Sequence, residues 1–370
     1  MKRLSTILAF ALLASTLAFA QVEFRNPEIN AADPDGALAY GAATTVDLER
    51  RIATLDDFLG QYADSTYRPH VLYMMLVAAT EGEQPEKAAA AGQELVEIAG
   101  DDVEVRHRLN QALLALARWD DLGPSMDATL PLAEADADAE GDKGAYASGV
   151  KDWLAWASNT ALIGEADPAK KIAWLDRLST NYADSDYAQN IEAKYIQAYQ
   201  QAGDAAKMVE WTQKAVDAGI EDESHRYTLA EDALTRQDND AAQAHAEKAL
   251  EILETKEKPA GMADDQWESH KTRMTAYANF AAGRAWAGRN TKPAFRTSRT
   301  HLLEAVDVMK AEGGPRYNVL AYYLGVCYVQ LDIKGDNIRQ ATEWMTEAVN
   351  NPGPFTEQAQ QALAGIQAAQ

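Results

Sequence analysis

The sequence predicts an all-α fold, a solenoid of helix–turn–helix units. Residue types recur at a spacing of 34. Met208 is followed by Ala242, Thr212 by Ala246, Lys214 by Lys248 and Ala215 by Ala249; upstream, Tyr195 pairs with Leu229 and Tyr199 with Ala233. A stack of two-helix units produces a period of that length. A second echo is longer. Arg51 to Tyr67 (RIATLDDFLGQYADSTY) aligns without gaps to Lys171 to Tyr187 (KIAWLDRLSTNYADSDY). Ile52/Ile172, Asp56/Asp176 and Tyr67/Tyr187 are among the shared positions. Composition is the third observation: alanine-rich, glycine-poor segments with proline near their ends favour helix.

The chain starts with a targeting pattern. Lys2 and Arg3 precede an apolar stretch, Ile7 to Leu17, that is too short to span a bilayer. Ala18-Phe19-Ala20 then fits a cleavage site, so residues 1–20 are expected to be a signal peptide and Gln21 the mature N-terminus. The cleavage site has no cysteine for a lipid anchor, and no later run is long enough to cross a membrane. Residues 21–44 contain NPE and DPDG turn sequences and are expected to form a loose arm with one weak helix. A helix is expected from about Thr45 to Tyr62 and another from Pro69, with Ser65 and Ser185 as caps in the two YADS copies. The ruler then sets out repeats over 45–136, 149–256 and 265–355. An acidic insert (137–148) and a linker (257–264), the latter ending at an Asp264 cap, separate them. Residues 356–370 form a last amphipathic helix that closes the apolar edge.

Charge excludes some partners. The formal net charge is −23, and removing the two basic residues of the leader takes it to −25. Such a surface disfavours nucleic acid and anionic membranes. The single cysteine, Cys327, lies in the apolar run LAYYLGVCYVQL and is expected in the core.

These units resemble tetratricopeptide repeats over roughly 45 to 354. The resemblance rests on a small residue in the first helix with an aromatic three later, as in Gly283 with Trp286 and Gly325 with Tyr328. It rests also on small second-helix residues, Ala215, Ala249 and Ala348. It implies a right-handed superhelix whose first helices line a concave groove. The YADS-x-Y element is similar to a motif of envelope proteins of that family.

Nucleotide-binding and common hydrolase motifs are absent, and no cofactor is implied. Ser148 to Lys151 fits S-x-x-K without its companion motifs. The six histidines never stand at paired ligand spacing. Asp136, Asp138 and Glu140, followed by Gly141, match the opening of a calcium loop, but the twelfth position is Ala147, which cannot supply the bidentate oxygens. The groove is the better candidate. In 189–222, Tyr195, Ile196 and Tyr199 form the packed stripe, and Asn190, Ala193, Gln197 and Gln200 the other. Carried along the chain, the second stripe collects His70, Tyr73, His107, Gln111, Asn190, Gln197, Tyr227, Glu231, Tyr277, Phe280, Arg284 and Tyr322. Rings and amides suit an extended peptide. The lysine and asparagine set of a carboxylate-clamp groove is largely missing. The expected function is therefore a non-enzymatic scaffold in the bacterial cell envelope, periplasmic or secreted, that binds a protein or peptide. A periplasmic small-molecule or calcium-binding protein is the alternative.

Overall fold

A computed structural model describes residues 24–331 and 336–368. The leader, 1–20, lies outside the described residues. Among the described residues there are seventeen α-helices and no strand. They fall into two compact units, one ending at Ile191 and the other starting at Glu192.

In the first unit, α1 (Pro34–Thr44), α2 (Leu48–Gln61), α3 (Arg68–Glu81) and α4 (Pro85–Ala99) follow an irregular arm. Then come α5 (Val103–Ala115), α6 (Trp119–Ala137), α7 (Asp142–Gly164), α8 (Pro168–Asn181) and a 3-10 turn at Asp186–Ala188. The second unit holds α9 (Ile191–Ala202, starting one residue before the division), α10 (Ala205–Asp217), α11 (Glu223–Thr235) and α12 (Asn239–Thr255). It continues with α13 (Asp264–Gly288), α14 (Lys292–Glu312), α15 (Gly314–Leu331), α16 (Asp336–Asn350) and α17 (Thr356–Ala368).

Local chemistry starts these helices. Asp47, Asp102, Asp167, Asp204, Asp222 and Asp238 are N-caps whose carboxylates accept first-turn backbone N–H groups. Short turns fold most helices back on their predecessors, and in each unit the first helices also touch one another. In the first unit α3 meets α5 and α5 meets α7; in the second, α11 meets α13 and α13 meets α15. This is the helix–turn–helix array expected from the 34-residue period.

The period is also written in the turns. Five helices end with a backbone N–H reaching five residues back: Gln84 to Ala79 O, Arg118 to Leu113 O, Asp204 to Tyr199 O, Ile220 to Ala215 O and Asp238 to Ala233 O. The residue just before each of these donors has positive φ: Glu83 (52°), Ala117 (51°), Gly203 (73°), Gly219 (78°) and Gln237 (61°). This is the Schellman ending, which caps otherwise unpaired carbonyls and favours glycine. Glu83 and Ala117 stand one period apart, as do Gly203 and Gln237.

Small residues hold the helices close. Ala215, Ala249 and Ala348 are buried. A Cβ on Gly283 would lie 2.6 Å from Leu302 Cγ, and one on Gly325 would lie 2.8 Å from Met345 Cε. Across that region a hydrogen-bond chain joins three helices. Cys327 Sγ on α15 donates to Ser298 Oγ on α14 (3.2 Å), which donates to Gly283 O on α13 (2.7 Å).

Several boundaries differ from expectation. Residues 142–148 of the expected insert are the first two turns of α7, leaving a short connection after Ala137. Asp264 is not a cap: Ala263 occupies that position, and Asp264 pairs with Lys258. The two YADS serines do not cap α-helices either. Ser65 Oγ donates to Asp35 (2.6 Å) and accepts from Tyr67 N (3.1 Å), bracing a turn, while Ser185 Oγ donates to Tyr182 O (2.7 Å). Asp-Ser sequences satisfy turns as readily as caps, and only the following backbone distinguishes the two.

Ala117 carries a Cβ in the left-handed region, at a cost glycine does not have. Ala117→Gly is therefore expected to raise stability by about 0.5–1 kcal/mol, after the entropy that glycine adds to the unfolded chain. Thermal melting followed by circular dichroism checks this, and a lower melting temperature would show that Ala117 is not strained.

Candidate functional site

The second unit holds a cleft of about 720 Å³. Its walls come from α10, α11, α13, α15 and the segment before α17. Met208, Val209, Val319 and Pro354 supply apolar surface. Four residues of the expected groove line it: Tyr227 and Glu231 on α11, and Phe280 and Arg284 on α13. They are brought together because α11 and α13 lie side by side.

The polar groups in the wall are ordered. Arg284 Nη1 donates to both oxygens of Glu231, at 2.8 and 2.9 Å, and the guanidinium lies 5.0 Å from the centre of the Phe280 ring. Burial, reinforced by the Glu231 charge and a hydrogen bond to that carboxylate, pushes the Tyr227 phenol well up, so it stays neutral. Tyr227 stacks on Tyr277 with ring centres 5.4 Å apart. Tyr277 Oη donates to Glu312, and the guanidinium of Arg316 lies 5.0 Å from the Tyr277 ring. Arg316 is exposed, lines the cleft and has no carboxylate within 4.0 Å among the described residues. Sequence reasoning missed Arg316. It sits in the first turn of α15, ahead of the position where the ruler placed Tyr322.

Two expected residues of this unit lie elsewhere. Tyr322 stacks on Phe355 (4.5 Å, 8° between planes) in the cluster that α17 covers. Gln197 on α9 is exposed, while Tyr195 of the packed stripe is buried against Trp211, ring centres 3.7 Å apart.

Phe280 requires a correction. It was expected on the unpacked stripe, yet it is 2% exposed. Helix α13 packs on α11, α12, α14 and α15, so few of its positions are free. Phe280 forms the floor of the cleft rather than a protruding anchor.

In the first unit, His70 and His107 are likewise buried, contrary to an open stripe. His70 Nδ1 donates to the carbonyl of Phe24 (2.9 Å), and burial holds its imidazole below the ordinary range. Tyr73 Oη donates to Glu104 (3.0 Å). His107 meets the edge of Trp153 (4.7 Å) and Tyr146 (6.0 Å), and bonds Gln111 through Nε2 (3.0 Å). Burial, with Arg108 nearby, drives His107 down to about 4. Gln111 also borders a hollow of about 320 Å³ between α3, α4 and α5. Asn190 is exposed in a turn, with φ 54°.

The acidic residues are not gathered. Asp136 pairs with Lys143 (2.7 Å), and no group of three or more His, Cys, Asp or Glu side chains able to hold a metal occurs among the described residues. That includes Asp138 and Glu140. No described helix is long and apolar enough to cross a membrane.

No family model matches the chain, and no curated protein matches it. Among solved structures it is similar to the crystal structure of the P58(IPK) TPR domain: 11% identity, 90% of this chain and 96% of that one covered, TM-score 0.33. It is also similar to yeast Tom70: 13% identity, 92% and 89% covered, TM-score 0.27. The helical-repeat fold stands on the helices and turns described above.

The cleft assigns different roles to two rings. Phe280→Ala removes a buried side chain and is expected to cost about 3–5 kcal/mol. Tyr227→Ala removes a half-buried ring and one aromatic pair, at about 1–2 kcal/mol. Melting curves of the two variants check the order, and equal losses would place Tyr227 in the core as well.

Proposed function

We propose that the protein is an exported, non-enzymatic scaffold that receives an extended peptide or protein segment in the cleft of its second unit. The observation that carries this reading is the cleft itself: apolar walls, the Tyr227 ring, and Arg316 with no carboxylate within 4.0 Å among the described residues. An extended segment offers both needs, side chains for the apolar wall and backbone carbonyls for the Arg316 guanidinium. The Arg284–Glu231 pair is satisfied internally, so it shapes the wall rather than waiting for a ligand. The cleft volume also falls in the range of small-molecule sites, which favours the second reading of a small-molecule binder.

The two readings separate by the mass of the occupant. A photo-crosslinking side chain at Thr228, inside the cleft, is expected to join the protein to a polypeptide in its native compartment. The same group at Lys248, on α12, is expected to give little. Equal crosslinking from both positions would remove the cleft as the binding site. A melting shift with compounds below about 1 kDa, and no polypeptide adduct, would establish the small-molecule reading.

Export rests on Lys2, Arg3, the apolar stretch and Ala18-Phe19-Ala20. Sequencing the mature protein from its native host is expected to start at Gln21, in a periplasmic or secreted fraction. Full-length protein in the cytoplasm would overturn it.

A further inference from the structure

The first-helix face of the first unit is already occupied, and by the chain itself. Phe24 and Arg25 lie across α3 and the start of α5. Phe24 is 7% exposed and meets the Tyr73 ring edge-on, with centres 5.6 Å apart. Its carbonyl accepts the His70 Nδ1 proton at 2.9 Å, which fixes the direction in which the backbone runs. Arg25 then reaches over the Tyr73 ring, 5.2 Å from its centre. Its two terminal nitrogens divide between two carboxylates: Nη2 to Asp102 at 2.5 Å and Nη1 to Glu104 at 3.1 Å. Glu104 is held for this task by Tyr73 Oη and Arg108 Nε, at 3.0 and 2.9 Å.

Each contact reads a different property of the segment. The Tyr73 ring takes an aromatic ring, His70 reads a carbonyl, and the carboxylates read a guanidinium one residue later. Tyr73 serves both neighbours, the Phe24 ring and the Arg25 guanidinium, which suits an aromatic residue followed directly by arginine. Lysine, with one charged nitrogen, does not span both carboxylates as arginine does. From Asn26 to Asp33 the chain has no regular structure; Ile29 packs on the core, and the next long-range hydrogen bond is Asn30 N donating to Tyr67 Oη at 3.0 Å.

We propose that this face is a second binding site, for a partner segment carrying an aromatic residue followed by arginine, and that Phe24–Arg25 is its built-in competitor. The arm shows the chemistry the site accepts and lowers its affinity for anything outside. A net charge of −23 favours arginine-bearing segments over acidic ones. The site stands on the first unit alone and does not depend on the cleft of the second unit.

The test uses the full chain and a fluorescent synthetic hexapeptide, Gly-Ser-Phe-Arg-Ser-Gly, followed by anisotropy. Vacating the arm with Phe24→Ala and Arg25→Ala is expected to tighten probe binding by at least about tenfold, because the competitor is gone. Adding Glu104→Gln, which can still accept the Tyr73 bond, is expected to weaken it again by about tenfold. Asp102 is left alone because it caps α5. If the double variant melts, Arg25→Ala alone keeps Phe24 in the core and is expected to tighten binding in the same direction. Either folded variant binding the probe no better than the intact chain would overturn the proposal. So would equal binding of a Gly-Ser-Phe-Glu-Ser-Gly probe.

Discussion

Close approach of the helices is the constraint on which the rest depends. Between α11, α12 and α13 the contact is almost all alanine: Ala230, Ala246, Ala281 and Ala282 in one cluster, Ala233, Ala242 and Ala285 in the next, each fully buried. Methyl groups let helix surfaces interlock at short range, where leucine would hold them apart. That closeness puts Tyr227 and Glu231 within reach of Phe280 and Arg284. In the first unit Gly92 does similar work. A Cβ there would stand 3.1 Å from that of Leu109, so α4 and α5 meet almost backbone to side chain.

The two first-helix faces use one vocabulary in two ways. Both combine tyrosine, a carboxylate and arginine. In the second unit the tyrosine and glutamate belong to α11 and the arginine to α13, so the set is complete within the wall and leaves a hollow in front of it. In the first unit Tyr73, Glu104 and Arg108 form such a set on α3 and α5, and the N-terminal arm lays a second arginine, Arg25, against it. The difference is one of covalent origin: a helix side chain cannot leave, whereas a residue on an irregular arm can exchange.

The repeat was legible because a helix crossing tolerates so few residue types. Ala215, Ala249, Gly283 and Gly325 sit where the 34-residue ruler and the glycine–aromatic pairs placed them. The turns were half legible. Gly203 announces a left-handed residue, but Glu83, Ala117 and Gln237 adopt the same backbone without a side chain that says so. Burial on the first helices was misjudged for a physical reason. A two-stripe reading assumes one open face, and α13 is covered by four other helices, which buries Phe280. His70 and His107 were misplaced because their covers, Phe24 and Trp153, lie 46 residues away in sequence in either direction, where no periodicity connects them to their sites. Arg316 was invisible because its importance comes from what is absent around it.

The lone thiol gives the second unit a chemical clock. Cys327 is fully buried, and burial raises its pKa to about 11, with Ser298 as its polar neighbour. A thiol in that state is almost wholly protonated near neutral pH and screened from alkylating reagents, so it reacts only in molecules where α14 and α15 have parted. Its modification rate at low reagent therefore counts opening events of that helix pair directly. It does so in the intact chain without any introduced label, and the rate should separate local breathing from global unfolding.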